Sequence, residues 1–118
     1  MEDIIEKYRD RLPESYLKFI LENKRFYRYL DAEYGYIDLW DINELHECWS
    51  TLKIQNKLGE NWFPIGSDGG GEMIVINLAS SEKELCFIPF IEMKEESADY
   101  YCDDFSKLYE LIKRKNLE

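Results

Sequence analysis

The stretch that decides the fold is residues 62–78, which read Trp62-Phe63-Pro64-Ile65-Gly66-Ser67-Asp68-Gly69-Gly70-Gly71-Glu72-Met73-Ile74-Val75-Ile76-Asn77-Leu78. A short apolar run, 62–65, leads into the glycine-rich turn 66–71, and a strand-like apolar run, 73–78, follows it. This pattern is typical of two strands joined by a tight turn. We therefore predict that the glycines of the turn adopt positive φ between two strands.

Further strands are predicted on both sides of this pair. Residues 26–30 and 34–40 are rich in aromatic residues that favour strands, and residues 85–91 are again strand-like. Short turns separate these segments, and no repeat or Pro/Gly/Ser-rich linker interrupts the chain. We therefore expect clustered strands within one domain that spans residues 1–118.

Helices are predicted at both ends and in the middle of the chain. Residues 2–23 indicate a helix that breaks near Leu12-Pro13, because proline is not tolerated in a helix interior. Asp41 and Glu44 have the spacing of a capping box, and the helix that they begin is expected to stop at Gly59. The last helix is expected from about Asp104. The fold class predicted is α+β, a mainly antiparallel sheet flanked by N-terminal, central and C-terminal helices.

The buried stripes of these helices follow from apolar residues three and four positions apart. The residues expected to face the core are Tyr16, Phe19, Ile20 and Asn23 in the first helix, Ile42, Leu45, Trp49 and Leu52 in the second, and Phe105, Leu108, Tyr109 and Ile112 in the third.

Composition excludes several classes of protein. The 118 residues hold 25 acidic and 15 basic residues, a net charge of −10, which argues against direct binding to nucleic acid or an anionic membrane. No apolar run approaches the roughly 20 residues of a membrane helix, and the acidic start of the chain does not resemble a signal peptide. Cys48, Cys86 and Cys102 have no paired spacing, so we expect free thiols and a cytoplasmic protein.

The negative charge is concentrated in two segments, 31–47 and 92–104. Together these 30 residues hold twelve acids and one base, a net −11, whereas the other 88 residues hold 13 acids and 14 bases. Helix N-termini and a solvated face account for part of this clustering. The functional interpretation is an acidic docking surface for a basic partner, with tyrosines as anchors. The residues predicted to bind the partner are Asp31, Glu33, Tyr34, Tyr36, Asp38, Glu92, Glu95, Glu96 and Asp99.

Candidate catalytic and metal sites are weak. His46 is the only histidine, and Cys48 two positions later does not share its helix face. The turn 66–71 lacks the lysine and the following helix of a phosphate-binding loop, and it lacks the spacing of a calcium loop. We assign no catalytic residue, no metal and no cofactor. A small hydrolase that uses two carboxylates stays open as an alternative, and it would require a deep pocket with two facing acids.

Three stretches, in this order, resemble motifs of the SUKH superfamily, which is named after yeast Smi and Knr regulators. Residues 12–20 (LPESYLKFI) resemble its opening motif, 35–45 (GYIDLWDINEL) its strand-then-helix segment, and 63–72 (FPIGSDGGGE) its glycine-rich turn. Residues 102–108 (CDDFSKL) resemble the start of its last helix. Asn23 is followed by Lys24 where the family usually has glycine, and Asp104 replaces the usual serine.

The resemblance implies an α+β domain without a catalytic site. In bacteria such domains are typically immunity proteins that neutralise a toxin domain, in many cases a nuclease, and in fungi they are tied to cell-wall-synthesis signalling. The expected function is therefore a toxin-neutralising immunity protein that binds a basic toxin domain. The alternative is a non-catalytic regulatory or scaffold module that binds a peptide or small ligand beside the turn 66–71.

Overall fold

Six antiparallel strands form the centre of the computed structural model, which describes residues 3–22 and 25–117. The strands pair in the order in which they follow each other along the chain, and the sheet is curled. They are β1 (Phe26–Tyr29), β2 (Tyr36–Leu39), β3 (Trp62–Ser67), β4 (Glu72–Asn77), β5 (Leu85–Pro89) and β6 (Asp99–Cys102).

Five α-helices in the described residues accompany the sheet: α1 (Ile4–Tyr8), α2 (Glu14–Leu21), α3 (Ile42–Leu52), α4 (Ile54–Leu58) and α5 (Phe105–Asn116). Single 3-10 turns lie at Arg9–Arg11 and Glu95–Ser97. The predicted α+β class with a mainly antiparallel sheet is thus confirmed.

The break in the N-terminal helix lies where the sequence predicts it. Pro13 precedes the first residue of α2, so its missing N–H removes no helical hydrogen bond. Tyr16, Phe19 and Ile20 are buried as expected. Glu2 and Asn23, at the predicted ends of this segment, lie outside the described residues.

The central helix begins as predicted but does not continue unbroken to Gly59. The carboxylate of Asp41 accepts the N–H of Glu44, and the Glu44 carboxylate accepts the N–H of Asp41, so the capping box is complete. Lys53 then adopts a left-handed conformation with φ of 53°, which separates α3 from α4. The prediction of one continuous helix was wrong here. The sequence has no glycine or proline near Lys53 that would have indicated the break.

The glycine-rich turn is shorter than predicted. Strand β3 extends through Gly66 and Ser67, and within 66–71 only Gly69 has positive φ. Gly66 is required for another reason: a Cβ there would lie 2.3 Å from the backbone oxygen of Asp38 in β2. The two glycines therefore let β2 and its side chains approach β3 and the turn.

The core is largely aromatic where the helices meet β3. The Phe63 ring packs edge-on against Tyr8 and Tyr16, with centroids 5.3 and 5.8 Å away, and it lies 4.7 Å from the Trp49 ring. The indole N–H of Trp49 donates to the carbonyl oxygen of Pro64 at 3.0 Å, which fixes α3 against β3. The helix α5 begins after Asp104, whose carboxylate accepts the N–H of Lys107, as the sequence predicts.

Candidate protein-binding surface

The first acidic segment begins with a turn that Asp31 stabilises. Its carboxylate accepts the N–H groups of Glu33 and Tyr34 at 2.9 and 2.8 Å, which orders the connection between β1 and β2. Asp31 is half-buried and Glu33 is exposed. Of these two predicted partner-binding acids, Asp31 therefore also supports the local structure, and the Glu33 side chain extends into solvent.

Tyr34 connects this turn to the second acidic segment. The hydroxyl of Tyr101 in β6 donates to the carbonyl oxygen of Tyr34 at 2.8 Å, and the two rings meet edge-on at 5.8 Å. Burial raises the pKa of Tyr101, and the nearby charge of Asp31 contributes in the same direction. The two acidic segments thus meet at one point, although three strands separate β2 from β6 in the sheet.

Asp38 belongs to a small ionic cluster that is centred on Arg25. The Arg25 guanidinium is 3.1 Å from the Asp38 carboxylate and 3.2 Å from that of Glu44, and it lies over the Tyr27 ring at 4.8 Å. The hydrogen bond to Asp38 is the largest cause of the raised pKa of Arg25. This arrangement holds a guanidinium between two carboxylates and an aromatic ring.

Three exposed tyrosines share the solvent face of β1 and β2. The register places Tyr29 opposite Tyr36 and Tyr27 opposite Asp38, and cross-strand partners and alternate residues lie on the same face. The exposed fractions are 61% for Tyr27, 56% for Tyr29 and 41% for Tyr36. We call Tyr27, Tyr29, Tyr36 and Asp38 together the tyrosine face. Tyr36 and Asp38 were predicted, whereas Tyr27 and Tyr29 were missed.

The glycine-rich turn supports the tyrosine face from one side. A Cβ at Gly69 would lie 2.6 Å from a ring carbon of Tyr36, so the ring lies directly against this glycine. The turn is itself ordered by Asp68, whose carboxylate accepts the N–H of Gly70 at 2.8 Å. The glycine-rich motif therefore acts as a platform for an exposed aromatic side chain.

The acids of the second segment lie in several places. Glu95 accepts the indole N–H of Trp62 at 3.2 Å, and both Glu95 and Glu96 line a cavity of about 370 Å³ with Trp62. Trp62 and Ser67 are the two ends of β3, about 16 Å apart at the usual rise of a strand. Since Ser67 pairs with Asp38, the structure does not bring Glu95 next to Asp38.

Asp99 and Glu92 complete the predicted set, and both are exposed. Asp99 begins β6 near Glu72. Burial raises the pKa of the Glu72 carboxyl, and the charges of Asp68 and Asp99 add to the shift. Glu92 has an unusual left-handed backbone with φ of 56°. The predicted acids are therefore dispersed: Asp31 lies beside Tyr34, Glu95 lies beside Trp62, and Asp99 lies near Glu72.

The only histidine has a structural role. The backbone N–H of Ile4 donates to its Nε2 at 3.2 Å, and its Nδ1 lies 2.8 Å from the carbonyl oxygen of Ile42. Since Nε2 accepts a hydrogen bond, the ring proton is on Nδ1. His46 thus joins α1 to α3 with both ring nitrogens.

The three cysteines are free, as predicted. Burial raises the pKa of each thiol, to about 11 for Cys86, which suppresses the reactive thiolate at neutral pH. Across residues 3–22 and 25–117, no three potential metal-ligating side chains of His, Cys, Asp or Glu cluster together. No helix in the same residues combines the length and the apolar character needed to cross a membrane.

Comparison with known proteins identifies the family. The model of the SMI1 / KNR4 family (SUKH-1) matches residues 2–111, which is nearly the whole chain. The chain belongs to this family. None of the curated proteins compared with the chain matches it. Membership supports a role like that of the family's immunity proteins or of its Smi1/Knr4-type members, which are generally non-catalytic.

Proposed function

We propose that this chain is a cytoplasmic immunity protein that binds a basic toxin domain, such as a nuclease, and blocks its active site. Binding would place carboxylates where the phosphates of the toxin's substrate otherwise lie. The protein would act as one non-enzymatic domain without a cofactor. Its binding residues would come from the predicted set in segments 31–47 and 92–104.

The observation that carries this proposal is the junction of the two acidic segments. The contact between Tyr34 and Tyr101 places the β1–β2 turn of the first segment against β6 of the second. Together the two segments account for the whole net charge of the chain. Tyr100, Asp103 and Lys107 lie beside this junction, where Lys107 lowers the pKa of the Asp103 carboxyl by a hydrogen bond. A basic protein that approaches the junction would meet negative charge from both segments.

The hydrolase alternative requires two facing acids in a deep pocket. Of the cavities formed by the described residues, that between α2, β1 and α5 has a volume of about 520 Å³ and contains one acidic side chain, Glu22. The two cavities that contain Glu95 and Glu96 draw both acids from the same 3-10 turn. This geometry favours a binding function over carboxylate catalysis.

The experiment is co-expression with the toxin domain encoded beside this chain. Cells that produce the toxin domain alone are expected to stop growing, and cells that also produce this chain at equal level are expected to grow. A chain in which Glu33, Asp38 and Asp99 are changed to their amides serves as the charge variant and is expected to protect less. Continued killing in the presence of the unaltered chain would contradict the proposed function.

A further inference from the structure

The solvent face of the β1–β2 hairpin is unusual for an antiparallel sheet. Such a face normally carries polar side chains, with apolar ones confined to the core face. Here Phe26, Ile37 and Leu39 fill the core face, and Tyr27, Tyr29 and Tyr36 occupy the solvent face. Large exposed aromatic side chains grouped on one face are typical of protein interfaces, in which tyrosine is enriched.

We propose that the tyrosine face, Tyr27, Tyr29 and Tyr36 around Asp38, is the energetic centre of the docking surface and binds a basic protein surface. The inference rests on the proposed function and deepens it, because it names the contact residues within the same partner interface. Tyr27 and Tyr29 lie outside both acidic segments, so the charge pattern alone does not indicate them.

Charge complementarity identifies the occupant as a basic protein. Asp38 lies within the face, Glu44 borders it, and Glu33 extends from the turn at its end. The Arg25 guanidinium lies between Asp38, Glu44 and the Tyr27 ring and offsets one of these two carboxylate charges. With Glu33, which is exposed, the region keeps a net negative charge. A second copy of this chain would bring the same carboxylates and be repelled.

The face is also pre-organised. The ring of Tyr36 lies against Gly69, and Tyr29 pairs with Tyr36 across the strands. Tyrosine has few rotatable bonds, so ordering these rings at an interface costs little conformational entropy. Little further ordering is needed when a partner binds, and this favours affinity.

The test measures the affinity of the 118-residue chain for the proposed partner, a toxin domain encoded beside it, in catalytically inactivated form. The variant is Tyr27→Ser combined with Tyr29→Ser, and we expect it to bind at least about tenfold more weakly. A second variant, Tyr100→Ser, probes the junction of the acidic segments, because Tyr100 is 61% exposed and lies on β6 beside that junction. The control is Leu21→Ser, because Leu21 is 58% exposed on α2 and lies outside both acidic segments and the tyrosine face. The control is expected to keep its affinity within about twofold. Thermal unfolding of each variant verifies that it is folded.

The outcomes separate the inference from the proposed function. If the unaltered chain does not bind the toxin domain, both the inference and the proposed function are contradicted. If it binds and the Tyr27/Tyr29 variant binds equally well, the tyrosine face is not the centre of the interface, and the proposed function stands. Loss of affinity in Tyr100→Ser alone would place the interface at the junction of the acidic segments and overturn the inference.

Discussion

The hydroxyl of Tyr101 donates a hydrogen bond to the backbone carbonyl oxygen of Tyr34, 67 positions earlier in the chain. This bond joins the β1–β2 turn to the last strand, and the Tyr101 ring also packs against Phe87 at 4.4 Å. The curl of the sheet brings these two residues together, and the two acidic segments meet at this contact. It is the point at which the two segments are in direct contact.

The first prediction concerns this contact. Tyr101→Phe removes the donor but keeps the ring, so the free energy of unfolding should fall by about 1 kcal/mol, the usual net value of such a hydrogen bond. Urea denaturation measures the change. Tyr29→Phe is the control, because Tyr29 is 56% exposed on β1, and its effect should stay within about 0.5 kcal/mol. Equal stability of Tyr101→Phe and the unaltered chain would mean that the bond does not hold the turn.

The second prediction separates the roles of three glycines. Gly69→Ala should destabilise the fold by about 1–3 kcal/mol, because Gly69 has φ of 82° and contacts the Tyr36 ring. Gly66→Ala should cost more, since its Cβ would overlap backbone atoms of β2. Gly71→Ala has open space and should change stability by less than about 0.5 kcal/mol. Thermal unfolding gives the order, and a Gly71 effect as large as that of Gly66 would contradict it.

The third prediction concerns Tyr16, whose hydroxyl is fully buried and has no hydrogen-bond partner in the described part of the chain. Burial without a partner is unfavourable, and it raises the pKa of this tyrosine. Tyr16→Phe should therefore leave the stability unchanged or raise it by about 1 kcal/mol.

Tyr8→Phe provides the comparison, because the Tyr8 hydroxyl accepts a hydrogen bond from Gln55. This variant should lose about 0.5 kcal/mol of unfolding free energy. A clear loss of stability in Tyr16→Phe, measured by the same urea titration, would show that its hydroxyl is satisfied.

The fourth prediction is a pH dependence at Glu72. Its pKa in the folded chain is raised by burial and by Asp68 and Asp99, so the folded state binds the proton more tightly than the unfolded state. The associated stability is present below the ordinary carboxyl pKa and is lost as the pH rises through the folded-state pKa. Glu72→Gln should thus be more stable than the unaltered chain at pH 7, by at most about 1 kcal/mol.

Urea denaturation at several pH values measures this difference. It should shrink toward zero below about pH 4, where the unaltered carboxyl is protonated in both states. Glu82→Gln is the control, because Glu82 is exposed and lies away from this cluster. A difference between Glu72→Gln and the unaltered chain that stays constant with pH would contradict the account.

Local signals in the sequence predicted most elements of the fold. The capping box of Asp41 and Glu44, the break at Pro13 and the cap at Asp104 depend on residues a few positions apart, so they can be identified without the structure. Strand β6 was missed because it lies in an acidic stretch, and acidic residues are not typical of strands. Its strand conformation depends on hydrogen bonds to β5, which cannot be identified from local sequence. The break at Lys53 likewise depends on how α3 and α4 pack.

The site was less predictable than the fold. The charge count located the acidic segments, but the contact of Tyr34 with Tyr101 is a long-range consequence of the curled sheet. Tyr27 and Tyr29 become a shared face with Tyr36 only through the register of β1 and β2. The one local signal was that Tyr27 and Tyr29 lie two positions apart. This spacing is typical of one face of a strand, and by itself it does not identify a binding surface.

The most direct test of the central claim is the salt dependence of binding to the proposed partner, a basic toxin domain encoded beside this chain. Association and dissociation rates of the 118-residue chain would be measured at low and at high ionic strength. An acidic docking surface predicts that salt weakens the affinity and lowers the association rate first, because screening removes long-range attraction. Equal affinity and equal association rates at both ionic strengths would contradict it.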